Sequence, residues 1–242
     1  MRRMRLVTML TAVVVVFLMA PASAQLDRLL KGLSQEPAGA GVSDAKIASG
    51  LKEALTVGTQ KAVNLTGKTD GYFLNQAIKI LMPEKLRTLE QGLRAVGYGS
   101  QVEELELSMN RAAEHSAPAA KQIFGNAIAA MSFEDARKIL NGPETAATDY
   151  FKAKTTDQLT TAFRPTVERS MSEVGVTRQY QELLGRAKAI PFLKVESYDL
   201  NTYVVGKALD GLFHVVADEE RKIRTNPTAR ATDLLKEVFA KR

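Results

Sequence analysis

The sequence predicts an all-α protein, a compact irregular bundle of about seven to nine helices rather than a simple four-helix bundle. Apolar residues recur at three- and four-residue spacing in run after run, while no stretch sustains a period of two. Ser, Asp, Asn, Gly and Pro punctuate those runs where helices start and stop. The predicted helices are too uneven in length for four matched rods. Val13 to Val16 belongs to an N-terminal leader, and Tyr203 to Val205 lies inside a helical pattern.

The leader is predicted over residues 1–24. Arg2, Arg3 and Arg5 precede an apolar run from Leu6 to Met19, and Pro21-Ala22-Ser23-Ala24 follows with small residues where a signal peptidase cleaves. The run is shorter than the ~20 residues a helix needs to cross a bilayer. No second such run follows, so no stable transmembrane segment is expected after cleavage. Residues 25–42, with Gly32, Pro37, Gly39 and Gly41, read as a flexible or weakly helical lead-in. Residues 43–242 are expected to form a single all-helical domain.

The first strong helix opens at Ser43-Asp44 and carries Ile47, Leu51, Leu55, Ala62 and Leu65, with Gly58 as its weak point and the stretch from Leu65 to Gly71 as its stop. A shorter helix is expected around Phe73 to Leu81. Pro83 then starts one bearing Leu86, Leu89 and Leu93, ending near Gly97 and Gly99. From Ser100 to about Met131, the residues Val102, Leu105, Met109, Ala112, Ser116, Ala119 and Ile123 form a seam with small residues at its centre, broken or kinked by Pro118. Ser132 followed by Asp135 is a variant capping box, and its helix stops at Asn141-Gly142-Pro143.

Residues 144–154 read as a short helical or irregular link. A helix from about Thr156 to Val174 carries Leu159, Phe163, Val167 and Met171, disturbed by Pro165 and closed by Gly175. A shorter helix covers Arg178 to Ala189, and Pro191 to Val195 connects it to a long helix from about Asp199 to Arg224. Asn226-Pro227 then caps a terminal helix through Phe239.

The 242 residues carry 33 Lys plus Arg against 27 Asp plus Glu, formally +6, with no Cys and no Trp. Three of the basic residues sit in the leader, so the remainder is nearly neutral. Such a balance gives no basis for specific nucleic-acid binding. The excess that remains is concentrated from Glu219 to Arg242, which suggests weak contact with anionic surfaces at most. Without Cys, packing rather than disulfides must stabilise the fold.

Few motifs specify chemistry. Thr66-Gly67-Lys68-Thr69 lacks the earlier glycine of a phosphate loop, whose place is held by Ala62, and it follows a helix rather than a strand, so it reads as a turn. His115 and His214 are the only histidines and do not form a zinc motif. Asp210, His214 and Asp218 share a helical face with Lys207 and Arg221, which reads as a solvated ion-pair face. No catalytic frame, cofactor or metal site is predicted.

The polar residues worth attention are Asn110, Glu114, Glu219 and Glu220. Asn110 and Glu114 flank the small-residue seam, Glu219 falls beside Leu212, Val216 and Ile223, and Glu220 falls near Phe213 and Ala217. Buried carboxylates need partners. If the two long helices pack together, these four could form a polar cluster, either a structural network holding Arg221 or Arg224 or a carboxylate site. Asp135, Tyr150 and Arg224 are secondary candidates.

Several stretches occur together as a set: Gly71-Tyr72-Phe73-Leu74-Asn75 with Ile80 to Pro83; Asn110-Arg111-Ala112-Ala113-Glu114; Phe133-Glu134-Asp135-Ala136 with Ile139 to Gly142; Ala147-Thr148-Asp149-Tyr150-Phe151; and Asp218-Glu219-Glu220 with Ile223-Arg224, Asn226-Pro227 and Arg230. On these, residues 43 to 240 resemble a bacterial exported family, the domain of unknown function 4197 family. The resemblance implies an exported, mostly helical protein without an established activity, often bearing a lipoprotein leader. This chain departs there, since it has no Cys to carry a lipid, which favours a soluble form in the periplasm of a Gram-negative bacterium. The expected function is a non-catalytic binding or envelope interaction module for an envelope protein, peptide or lipid. The alternative is a carboxylate-based metal-binding protein or hydrolytic enzyme using Glu114 with Glu219 or Glu220.

Overall fold

The computed structural model describes residues 44–173, 176–187 and 198–226. The signal peptide, the lead-in, Ser43, the Gly175 cap, the Pro191 to Val195 connection and the terminal helix after Asn226 lie outside the described residues. Within them the chain is all-α, with no strand. The helices are α1 (Asp44–Gly67), α2 (Arg87–Ala95), α3 (Gly99–Ser116), α4 (Ala120–Ala130), α5 (Phe133–Asn141), α6 (Ala146–Glu173), α7 (Val176–Ala187) and α8 (Leu200–Thr225). Short 3-10 turns at Glu84–Leu86 and Ala117–Ala119 precede α2 and α4.

Helix α8 is the axis of the bundle, packed against α1, α3 and α6. Its buried residues include Val204, Ala208, Leu212, Val216 and Ile223 on one side and Val205, Leu209 and Phe213 on others, as a helix surrounded by neighbours requires. Phe124 of α4, Phe151 of α6 and Phe213 of α8 form the aromatic centre, with Phe124 and Phe151 ring centroids 5.1 Å apart and Phe124 and Phe213 centroids 6.1 Å apart. Gly58 does not interrupt α1. A Cβ there would stand 3.3 Å from Ile223 Cδ1 and 4.0 Å from Glu219 Cβ, so the bare position lies directly against α8.

Pro118 does break the long seam, and a 3-10 turn separates α3 from α4 as the missing amide demands. Ser132 and Asp135 form a complete capping box at α5. Asp199 caps α8, its carboxylate accepting from the Thr202 amide and hydroxyl.

Two expectations are corrected. First, residues 144–154 are not a link, because α6 runs unbroken for 28 residues from Ala146. The apolar stripe of Leu159, Phe163, Val167 and Met171 continues backwards through Thr155, Phe151 and Ala147, all buried. Thr155 hides the continuity in the sequence, yet its hydroxyl donates to Phe151 O at 2.6 Å and is buried at no polar cost. Pro165 is exposed, as is Thr161 one turn earlier, so the carbonyl it leaves without a helical partner lies on the solvent side. Second, Phe73 to Leu81 is not a helix. It is a chain of turns, with local bonds such as Lys79 N to Asn75 O at 2.8 Å, and the amides those turns leave over, at Phe73 and Ile80, find side-chain acceptors on α3.

Candidate functional site

Three residues at fourfold spacing on α3, Glu106, Asn110 and Glu114, line one stripe of the helix and are all buried. Each accepts from the non-helical segment of residues 70–82. Glu114 Oε1 takes the amides of Tyr72 at 3.1 Å and Phe73 at 3.2 Å. Asn110 Oδ1 takes the Ile80 amide at 2.9 Å, while its Nδ2 donates to Ile80 O at 2.8 Å. Glu106 Oε1 takes the Met82 amide at 3.2 Å. The segment therefore descends α3 antiparallel to it, and side chains replace the backbone ladder that a helix or sheet would supply.

Arg111 completes the upper end. Its guanidinium donates to Glu114 Oε2 and to Asp70 Oδ1, both at 2.6 Å, which fixes Asp70 at a φ of 64° where the chain reverses. Helix α8 holds the other side. Tyr72 Oη donates to Ala208 O at 2.6 Å, and its ring lies where a Cβ on Gly211 would be, 2.5 Å from Tyr72 Cε1. Burial raises the Tyr72 phenol far above its ordinary range, reinforced by Glu114, so the group remains a donor. Burial also raises the Glu106 carboxyl, only partly countered by the Met82 amide.

Glu220 serves a different junction. Its carboxylate accepts the amides of Ala147 at 3.0 Å and Thr148 at 2.9 Å, and the Thr148 hydroxyl at 2.9 Å. These are orphan donors at the N-terminus of α6, where a negative charge also meets the positive end of the helix dipole. Arg224 clasps Glu220 at 2.9 Å and donates to Ile139 O at 2.8 Å, joining the end of α5 to the start of α6. Glu219, 2% exposed, is gripped by Lys61 at 2.8 Å and Lys222 at 2.7 Å. Burial pushes its carboxyl up, but the two ammonium groups outweigh that and hold it below the usual carboxylate range.

The four principal candidates thus have separate partners. Asn110 and Glu114 act together on the 70–82 segment, whereas Glu219 and Glu220 hold α1 and α6 respectively. Arg224 joins Glu220, as one reading of the sequence expected, while Arg221 pairs with Asp218 at 2.7 Å. His214 lies 3.6 Å from Asp218 and Lys207 lies 3.1 Å from Asp210, on an exposed face. Among the described residues, no group of three His, Cys, Asp or Glu is placed to hold a metal ion.

Two surface grooves accompany this scaffold. The larger, about 370 Å³, lies between the 70–82 segment and α8 and includes Lys79, Leu81, Met82, Tyr203 and His214. Its polar groups largely engage one another: Tyr203 Oη donates to Leu81 O at 3.0 Å, and Glu84 faces Arg87 at 3.7 Å. The second, about 280 Å³, brings together the secondary candidates Asp135 and Tyr150 with Asn126, Lys154 and Gln158. The Ser132 hydroxyl and amide hold the Asp135 carboxyl below its ordinary value. Tyr150 Oη donates to Ala127 O at 3.2 Å.

Sequence reasoning missed Glu106, Arg111 and Tyr72. Glu106 was accessible to it, standing one turn before Asn110 on the same stripe, and so was the pairing of Arg111 with Glu114 three residues on; the other partner of Arg111, Asp70, and the acceptor of the Tyr72 hydroxyl are 41 and 136 residues away and leave no local pattern. No curated protein and no solved structure matches the chain. The model of the family described as a protein of unknown function (DUF4197) matches residues 41–240, and the chain belongs to that family.

Proposed function

We propose that the chain is an exported, non-catalytic binding module of the bacterial envelope, released into the periplasm after cleavage behind Ala24, with residues 43–242 as one helical domain. The observation that carries this reading is the occupation of the buried acids. Glu114 and Glu220 each receive two backbone amides and an arginine, and Glu219 receives two lysines. A carboxylate so engaged has its lone pairs directed at structure, which argues against its use as a general base or metal ligand. The rigid frame these groups build leaves its open polar chemistry on the surface grooves, where ligand sites belong.

Two measurements test the reading. Fractionation of cells expressing the tagged full chain should place it in the periplasm with Gln25 as the new N-terminus; retention in the cytoplasm with residues 1–24 intact contradicts export. Protein recovered from envelope extracts under mild conditions should carry specific peptide, lipid or glycan, identified by mass spectrometry. Bare monomer from every extract contradicts binding.

A further inference from the structure

We propose that the groove between α4 and α6, formed by Asn126, Asp135, Tyr150, Lys154 and Gln158, is a carbohydrate subsite taking one sugar ring of a glycan chain. The assignment deepens the binding-module reading and rests on it. What distinguishes this groove is the availability of its polar groups. The carboxamides of Asn126 and Gln158 have no hydrogen-bond partner among the described residues, and Lys154 makes no direct ion pair there, its charge acting at longer range to help hold the Asp135 carboxyl down. Asp135 uses only Oδ2 in its capping box, in contact with the Ser132 amide at 3.1 Å and hydroxyl at 2.7 Å, so Oδ1 is free to accept.

The chemistry of this set selects its ligand. Two carboxamides supply donors and acceptors side by side, Lys154 adds donors and Asp135 an acceptor. Vicinal hydroxyls, each donor and acceptor at once, satisfy such a mixture. An anion would face Asp135 and a cation Lys154, whereas a neutral polyol meets neither penalty. Tyr150 is half-buried with its hydroxyl tied to Ala127 O, which fixes an aromatic wall, and Ala127 and Ala130 leave room for the apolar face of a ring. The volume, about 280 Å³, lies at the small end of ligand pockets and suits one unit of a longer chain. In the larger groove two pairs of charged residues face each other, Lys207 with Asp210 at 3.1 Å and Arg87 with Glu84 at 3.7 Å.

The test is titration of the exported full-length protein with tri-N-acetylglucosamine and with maltotriose, followed by calorimetry and saturation-transfer NMR. The expected result is saturable binding of at least one of them, weakened tenfold or more by Asn126→Ala with Gln158→Ala and unchanged by Lys79→Ala in the other groove. Asn126 and Gln158 are exposed, Lys79 is half-buried over the Phe73 ring, and an unaltered thermal midpoint verifies the folding of each variant. Absence of saturable binding by the folded wild type, or binding that survives the double substitution, overturns the assignment. If the same preparation retains a lipid or peptide while refusing both saccharides, the sugar assignment fails and the binding-module reading stands; if it retains nothing, both fail.

Discussion

Glu114 presents a single oxygen to two consecutive backbone amides, those of Tyr72 and Phe73, while its second oxygen meets Arg111. A non-helical segment is thereby anchored to a helix more than forty residues away. The carboxylate does for this segment what a neighbouring strand does in a sheet.

Removing that anchor should be costly. Glu114→Ala strands two amides and leaves the partly buried Arg111 guanidinium with Asp70 alone, a loss of about 3–5 kcal/mol. Glu114→Gln keeps an acceptor for the amides but turns its second group into a donor facing Arg111, and should cost less. Urea unfolding checks the order; equal stability of wild type and Glu114→Ala contradicts it.

At the start of α6 the expectation is local as well as global. Glu220→Ala frees the Ala147 and Thr148 amides and leaves Arg224 with one partner fewer, costing on the order of 3 kcal/mol. Hydrogen exchange should show the first turn of α6 opening before its middle. Uniform change along α6, or none, counts against a capping role.

The pH dependence should carry two opposite contributions. Glu219 is held low by its lysines, so its stabilisation is present above the ordinary glutamate value, about 4.3, and is lost as pH falls through its depressed pKa. Glu106 is raised by burial, so stability falls as pH rises from the ordinary value through its elevated one. Glu219→Gln should therefore destabilise at pH 7 and converge on wild type in acid. Glu106→Gln keeps an acceptor for the Met82 amide and should match or exceed wild type at pH 7. Thermal midpoints from pH 3 to 8 measure both, and a destabilised Glu106→Gln at pH 7 would contradict the burial argument.

Gly211→Ala sets two magnitudes against each other. Alanine gains about 1 kcal/mol over glycine within a helix. Its Cβ would stand 2.5 Å from Tyr72 Cε1 and 3.1 Å from Ile78 Cβ, and overpacking of that kind costs about 1–3 kcal/mol or more. The ring is rigid and its hydroxyl is tied to Ala208 O, so the steric cost should win. A thermal midpoint at or above wild type would show that the segment yields.

Legibility in the sequence followed the range of the interaction. Helix starts and stops fixed by neighbours in the chain could be read, as at Ser132 with Asp135, at Pro118, and in the start of the last long helix near Asp199. The segment from Phe73 to Leu81 could not, because its apolar spacing is compatible with a helix and the acceptors that deny it one lie on α3. The four polar candidates, Asn110, Glu114, Glu219 and Glu220, are all buried. Their distribution over separate junctions was not visible, because helical spacing gives the face of a residue and says nothing of which neighbour covers it. Thr155 misled for a related reason: a hydroxyl that bonds back to its own helix is polar in the sequence and satisfied in the core.

The central claim is that Glu106, Glu114 and Glu220 hold the backbone of neighbouring segments in place. Residue-resolved amide exchange at Tyr72 and Phe73, compared between wild type and Glu114→Ala under conditions where both are folded, tests it most directly. The account predicts strong protection of both amides in the wild type and its selective loss in the variant, with the middle of α8 still protected. Protection of Tyr72 and Phe73 that is unchanged when Glu114 is gone would contradict it.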